Sequence, residues 1–146
     1  MIGPDGGPPD GLARFLEVEA GGAFDWGGRD CWLLPADWIR CRHGRDPAAA
    51  WRGRYRTALG AARLIRRGGG PVEFADASLA ACGWIRSRRV RRGQVGLIPA
   101  VIHGPRGACA DLIGAIALGG GWWAARPIGA GLMLGPAVPV AAWRPK

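Results

Sequence analysis

The first half of the chain carries apolar residues at the spacing of amphipathic helices. Leu12, Phe15 and Leu16 follow an i, i+3, i+4 pattern, which predicts a helix from Pro9 to Ala20. Proline is tolerated in the first turn of a helix, and the two glycines after Ala20 are typical of a helix end. We therefore expect a helix to open the folded part of the chain.

A second helix is predicted to begin at Asp30, because an aspartate suits the capping position of a helix. It should run to about His43 and end at Gly44, with a bend at Pro35 in its second turn. The apolar stripe of this helix consists of Cys31, Leu34, Trp38 and Cys41.

Further helices are predicted after "GRDP", where Asp46 caps and Pro47 takes the first helical position. Gly53 should interrupt that helix. Another helix is expected at about residues 57–67, before "GGG", and a short one at residues 74–82. The buried face of the helix at 57–67 is predicted to carry Leu59, Ala62 and Ile65.

The second half of the chain changes to short apolar runs separated by glycine and proline. These runs read "QVGLIPAVIH", "DLIGAIALG", "GWWAAR", "AGLMLG" and "PVAAW". Their length and punctuation predict a meander of about five strands. Helices followed by a small antiparallel sheet make an α+β fold.

Composition favours one folded domain. The chain has 146 residues, 49% of them hydrophobic, and its eight tryptophans outweigh the disorder that 26 glycines and 12 prolines would otherwise suggest. We predict a flexible lead over residues 1–8 and a single domain over residues 9–146.

Charge and cysteine content limit the classes of partner and of site that we expect. The net charge of +9 indicates an anionic partner, such as nucleic acid, an acidic protein surface or an anionic envelope polymer. The four cysteines form no C-x-x-C pair, so we expect reduced thiols, no metal site and no cofactor. We also expect neither a signal peptide nor a membrane-spanning segment.

Several segments resemble the NlpC-type papain-like cell-wall peptidases. "DCWLLPADW" is similar to the Asp-Cys segment of that group, and "RRGQVGLI" is similar to its entry into the first core strand, with Gln94 where aspartate is usual. "FDWGGRDC", "GRDPAAAWRGRYRTALGA" and "AAWR" more closely resemble a phage-encoded branch of unassigned function, found among tail-tip genes of siphovirus-like phages. The resemblance covers roughly residues 12–144.

The resemblance implies a papain-like fold, a place in the virion tail tip after assembly in the host cytoplasm, and contacts with hub and distal tail proteins. It also implies Cys31 as a nucleophile at a helix start. The strand histidine of the group is replaced here by Leu112 or Ile113, so His103 is the candidate base and Asp111 would orient it.

Two interpretations of Cys31 stay open at this point. A helix start lowers the pKa of a thiol and makes it reactive, which favours a cysteine peptidase or amidase acting on peptidoglycan. Free cysteine is also among the most buried residue types, so Cys31 is interpretable as a small core residue kept from an enzyme whose catalysis is weak or lost, and the missing strand histidine favours this second interpretation. His43 lies twelve residues after Cys31 along the same predicted helix and is too far to serve as its base.

Basic and aromatic residues supply candidate partner-binding positions. "RSRRVRRG" is the densest charge run, and it would contact an acidic neighbouring subunit or, incidentally, DNA in the tail lumen. A small basic nucleic-acid-binding protein is the third functional hypothesis, although no nucleic-acid-binding motif accompanies the arginines. Tryptophans in Gly-rich loops suit either a subunit interface or a glycan platform. The candidate positions are Arg52, Arg54, Arg86, Arg88, Arg89, Arg91, Arg92, Trp122 and Trp123.

Overall fold

The computed structural model describes residues 10–104, 107–129 and 131–146, and for residues 101–104 and 107–110 it describes the backbone alone. Helices occupy the first half and strands the second, so the predicted α+β class is confirmed. The helices are α1 (Gly11–Ala20), α2 (Leu33–His43), α3 (Ala58–Arg67) and α4 (Pro71–Ala80).

Local caps explain where these helices begin and end. The Asp10 carboxylate accepts from Ala13 N at 2.8 Å at the start of α1, and Thr57 Oγ1 accepts from Gly60 N at 3.0 Å at the start of α3. Gly44 ends α2 in the left-handed conformation, with φ of +75°. The predicted limits of α1, α2 and α3 therefore agree with the structure to within about three residues.

The helix predicted after Asp46 and Pro47 is wrong. Residues 47–54 form consecutive turns, with Asp46 Oδ1 accepting from Ala48 N at 2.9 Å and Arg52 N donating to Ala48 O at 2.6 Å. Gly53, at φ of +77°, ends this run of turns. Helix α4 also begins earlier than predicted, because proline after three glycines is itself the first helical residue.

The buried faces of α2 and α3 differ from the predicted ones. Cys41 is exposed and lines an open groove between α1 and α2. In α3, Leu59 is 60% exposed, whereas Ala61 is buried. A Cβ placed on Gly60 would lie 3.1 Å from Tyr55 Cβ, so the close approach of Tyr55 turns this side of α3 to the core.

Six antiparallel strands form one sheet. They are β1 (Trp84–Arg86), β2 (Val95–Gly104), β3 (Gly107–Gly119), β4 (Trp122–Ala125), β5 (Met133–Pro136) and β6 (Ala141–Pro145). The spatial order is β1-β6-β2-β3-β4-β5, so β2 to β5 form the predicted meander. The last strand does not continue it, because β6 returns to pair with β2 and with the unpredicted strand β1.

The main core lies between α2 and the sheet. Leu34, Trp38 and Ile39 of α2 pack in one cluster with Ile116 and Trp143 of the sheet. The indole nitrogens of Trp38 and Trp143 are hydrogen-bonded, to Gly93 O and to Asp76 Oδ1 respectively, each at 2.8 Å. Large aromatic side chains thus contribute buried area without leaving a polar atom unpaired.

Candidate functional site

Cys31 lies in the turn between Asp30 and α2, directly over β3. Its exposed fraction is 7%, and it belongs to an apolar cluster that includes Ile98 and Ile113. A Cβ on Gly114 of β3 would lie only 2.8 Å from Cys31 O, so the absence of a side chain there lets the turn rest on the sheet. We call this region the Cys31 corner; it consists of Gly27, Asp30, Cys31, Tyr55 and Gly114.

Asp30 holds this corner together. Its side chain is completely buried, and its carboxylate accepts from Trp32 N and Leu33 N, each at 3.0 Å. The same carboxylate accepts from Gly27 N at 2.9 Å and from the Tyr55 hydroxyl at 2.6 Å. The predicted capping role of Asp30 is confirmed, and four donors compensate for the cost of burying its charge.

Tyr55 joins two segments that the sequence leaves 25 residues apart. Burial raises the pKa of its phenol, as does the hydrogen bond to Asp30, so the hydroxyl is a proton donor at any physiological pH. Gly27 has φ of +83°, and a Cβ there would lie 1.9 Å from Tyr55 O. Gly27 of "FDWGGRDC" and Tyr55 of "RGRY" are therefore in direct contact, and a side chain at position 27 would prevent that contact.

The thiol of Cys31 is held in its neutral form. Burial, together with the negative charges of Asp30 and Asp111, raises its pKa to about 12. The backbone N–H groups at the helix start act in the opposite direction but do not outweigh burial. At neutral pH almost none of this sulfur is a thiolate, which is the nucleophilic form.

The candidate partners of Cys31 occupy different positions. His43 is exposed at the far end of α2 and packs edge-on against Trp84, with ring centroids 5.4 Å apart. His103 is a β2 residue opposite Ala108, but its side chain lies outside the described residues. Asp111 is exposed in β3, and its charge acts on Cys31. The two residues that stand where NlpC-type peptidases would carry the strand histidine are apolar; Ile113 is buried and Leu112 is half-buried.

A cleft of about 440 Å³ opens beside this corner. Trp32, Arg66, Asp111 and Leu112 line it, together with the residues that precede and begin α4. Cys31 does not itself line the cleft, because Trp32 and the sheet cover it. The cleft therefore offers an aromatic ring and one charge of each sign, but no sulfur.

The "GRDP…RGRY" segment contains an internal ion-pair cluster. Arg52 donates through Nε to Asp46 Oδ2 at 2.9 Å, and its Nη1 lies 2.7 Å from Asp37 Oδ1 of α2. Burial raises the pKa of Asp37, whose Oδ1 is shielded from solvent. The guanidinium of Arg52 is thus paired within the protein, whereas Arg54 is exposed and forms no ion pair with a described residue.

The two candidate tryptophans of the sheet lie on opposite faces. Trp123 is 2% exposed and donates from Nε1 to Ala137 O at 3.2 Å, so its ring is a core element. Trp122 is 50% exposed beside β5 and is the one with an accessible ring.

The candidate arginines also differ in their partners. Arg92 donates to Asp10 at 2.7 Å, whereas Arg88, Arg89 and Arg91 are exposed around a polar cleft.

Sequence reasoning missed the link between Glu19 and Arg126. Arg126 is 1% exposed, and its guanidinium donates to the Glu19 carboxylate and to Glu19 O. The sequence carries one signal for this link. Arg126 alternates with Trp123 and Ala125, so it lies on the same side as Ala124, whose strand partner Ile116 packs against α2.

Within the described residues, no three His, Cys, Asp or Glu side chains come together as a metal site would require. In the same part of the chain, no helix has the length and apolar character needed to cross a bilayer.

Comparison with known proteins locates the chain in a family. No curated protein and no solved structure matches it. A family described as a domain of unknown function matches from residue 9 to residue 144, which spans α1, the Cys31 corner and the whole sheet. The chain is therefore a member of the DUF6950 family.

Proposed function

We propose that the protein is a structural component of a siphovirus-like phage tail tip, with a peptidase-like fold whose catalysis is lost. The virion location and the papain-like ancestry come from the sequence resemblance alone. The observation that carries the loss of catalysis is the state of Cys31, a buried thiol with its pKa raised to about 12. A cysteine hydrolase needs a thiolate that reaches its substrate, and this sulfur has neither property.

The electrostatics around Cys31 support the same proposal. In an activated site a cationic group next to the sulfur stabilises the thiolate. Here the charges that act on the sulfur are carboxylates, those of Asp30 and Asp111. Asp30 is also committed to Tyr55 and to three backbone donors, so the corner is organised as a structural joint.

An uncharged surface at one sheet edge supports a role in assembly. No residue from 127 to 143 carries a charge, although the chain as a whole has a net charge of +9. Strand β5 lies at the end of the sheet order, where unpaired backbone groups favour association. The large apolar side chains exposed in and around this region are Trp122, Ile128, Met133, Leu134, Val138 and Val140. Surfaces of this kind are typical of protein interfaces.

The test separates structure from catalysis. Purified wild-type protein and the Cys31→Ala variant are mixed with the neighbouring tail-tip proteins and analysed by sedimentation, and both are assayed for hydrolysis of muropeptides. We expect both proteins to co-sediment equally and neither to hydrolyse the substrate. Hydrolysis by the wild type that disappears in Cys31→Ala would contradict the loss of catalysis. Failure of both proteins to co-sediment would contradict the tail-tip role.

One observation favours an active cysteine peptidase or amidase as the alternative. The cleft of about 440 Å³ beside Cys31 has the size of a ligand site and includes Trp32 and Asp111. In this alternative a movement of Trp32 would open the sulfur to the cleft, and His103 would act as base. Alkylation distinguishes the two, because a thiol opened in this way would react with iodoacetamide in the native protein. Among the cysteines whose side chains the structure describes, the structural proposal predicts that exposed Cys41 reacts as readily as a free thiol and that buried Cys31 does not.

A further inference from the structure

A second cleft lies on the sheet at the side away from β5. Its volume is about 510 Å³, and it lies among the end of β1, the connection from β1 to β2, and β6. We call it the arginine cleft; its lining residues are Arg86, Ser87, Arg88, Arg89, Arg91, Gln94 and Arg144. Five of these seven side chains are guanidinium groups, and none is an acid.

Most of this positive charge is uncompensated within the described residues. Arg86 is paired with Asp76, donating through Nε at 2.7 Å and Nη2 at 3.0 Å. Arg88, Arg89, Arg91 and Arg144 are exposed, and no described carboxylate pairs with them. Three other arginines, Arg52, Arg92 and Arg126, have carboxylate partners. The cleft differs from the remaining exposed arginines because its guanidinium groups converge on one cavity.

Converging guanidinium groups repel one another, and an anion between them lowers that repulsion. Guanidinium also presents its donors in a planar fork that matches the two oxygens of a carboxylate. The Arg86–Asp76 pair shows this two-point geometry at the edge of the cleft itself. Ser87 and Gln94 add neutral hydrogen-bonding groups to the same wall.

From these observations we infer that the arginine cleft binds an acidic segment of a partner protein, with at least two carboxylate side chains among the four arginines that have no described carboxylate partner. The inference rests on the proposed function as an assembly protein and names the chemistry of the partner. A tail protein with closely spaced Asp or Glu residues in an exposed loop fits this cleft.

The lining of the cleft favours carboxylates over nucleic acid. Proteins that hold single-stranded nucleic acid stack bases on aromatic rings, and no aromatic residue lines this cleft. The nearest ring, that of Trp143, is 2% exposed and has the Arg86 guanidinium 5.3 Å from its centroid. The charges also surround one bounded cavity, whereas binding to a duplex requires contacts along a row of phosphates.

The test uses the full chain and a matched charge control. The cleft variant carries Gln at Arg88, Arg89, Arg91 and Arg144. The control variant carries Gln at four exposed arginines elsewhere, Arg42, Arg56, Arg63 and Arg67. Each set removes four positive charges and lowers the net charge from +9 to +5. The probe is a fluorescein-labelled peptide with four glutamates, and binding is followed by anisotropy at about 0.15 M salt.

We expect the cleft variant to bind the peptide at least about tenfold more weakly than the wild type, and the control variant less than about threefold more weakly. Equal losses in the two variants would overturn the inference, since net charge alone would then explain binding. Tighter binding of a short DNA through the same four arginines would also overturn it, in favour of a nucleic-acid site. If the cleft variant melts early, the single change Arg144→Gln is measured instead, with a loss of about two- to threefold expected.

The sedimentation assay with tail-tip proteins distinguishes this inference from the proposed function. A cleft variant that still co-sediments would overturn the inference and leave the tail-tip role intact. Peptide binding at the cleft without any co-sedimentation of the wild type would leave the inference intact and remove the tail-tip role.

Discussion

The Cys31 corner and the arginine cleft treat charge in opposite ways. At the corner a carboxylate is fully buried and accepts four hydrogen bonds, so its charge is satisfied within the protein. In the cleft four guanidinium groups face solvent without a described carboxylate partner. The polar groups of the region where the sequence resemblance predicts an active site are therefore bonded to one another. These arginines of the cleft, where the resemblance predicts no site, remain available to bind a partner. We therefore expect substitutions at the corner and in its neighbours to lower the free energy of unfolding strongly, and substitutions at the cleft to lower it only slightly.

The largest effect is expected from Asp30→Ala. The change removes the cap of α2 and leaves the Tyr55 hydroxyl and the N–H of Gly27 without their acceptor. We expect the free energy of unfolding to fall by about 3–5 kcal/mol, measured by urea denaturation. Glu17→Ala, at an exposed position on α1, is the control and should change it by less than about 0.5 kcal/mol. A loss below about 1 kcal/mol for Asp30→Ala would show that the corner is not a structural joint.

Arg52→Ala should have the next largest effect, about 2–4 kcal/mol at neutral pH, because it leaves Asp37 and Asp46 without their shared cation. Arg54→Ala, two residues away and exposed, is the matched control and should be nearly neutral. Similar losses in the two variants would contradict the internal role of Arg52.

The effect of Arg52→Ala should also depend on pH. Burial opposes ionisation of Asp46, but hydrogen bonds from Arg52 and Ala48 N outweigh it and lower the pKa of Asp46 below its ordinary value of 3.8. In the wild type this stabilisation is complete above pH 4 or so and is lost as pH falls through the folded pKa. Burial raises the pKa of Asp37, so protonation relieves that carboxyl as pH falls. Both effects make the stability difference between the wild type and Arg52→Ala smaller in acid. Urea denaturation at several pH values would measure this.

Gly114→Ala tests the contact between the corner and the sheet. The added Cβ would lie 2.8 Å from Cys31 O and 2.9 Å from Pro35 Cγ, so the turn must move away from β3. We expect a loss of about 1–3 kcal/mol and faster alkylation of Cys31 by iodoacetamide, followed by mass spectrometry. Gly135→Ala, in strand β5, is the matched control, because its added Cβ meets open space and its backbone has no positive φ. An unchanged alkylation rate in Gly114→Ala would show that β3 does not seal Cys31.

The smallest effect on folding is expected at the cleft. Asp76→Asn leaves an oxygen that can accept from Trp143 Nε1 and removes the charge paired with Arg86. Because this ion pair is half exposed, we expect a stability loss below about 1 kcal/mol at neutral pH. The hydrogen bonds from Arg86 lower the pKa of Asp76, so the difference should disappear only as pH falls below its ordinary value of 3.8. The variant should bind the acidic peptide more tightly; weaker binding would contradict the role of charge in the cleft.

The sequence predicted most of the elements because their signals are local. Caps such as Thr57, the glycine at position 44 and the apolar runs of the second half act within a few residues. The missed strand β1 has only three residues and precedes an arginine run, so no periodicity marks it. The return of β6 to β2 is a long-range pairing that no local pattern encodes.

The site was predicted less completely for the same reason. The capping role of Asp30 is a local property, and it was predicted correctly. Its bond to Tyr55 spans 25 residues, and the raised pKa of Cys31 depends on burial by strands more than 60 residues away. The arginine run was identified as a charged segment, but its arrangement with Arg144 around one cavity appears only when β6 pairs beside β1.

The bond between Glu19 and Arg126 has a consequence for biosynthesis. The two residues are 107 positions apart, so the ribosome completes α1 long before it makes the arginine that anchors it. Until residue 126 is made, Glu19 has no buried cation to neutralise it, and α1 is held only through its other contacts, such as the pair of Asp10 with Arg92 and the contact of Phe15 with Trp38. Folding of this chain therefore finishes from its late end, and nascent chains that stop before residue 126 should hold the last turn of α1 less firmly than the complete chain does.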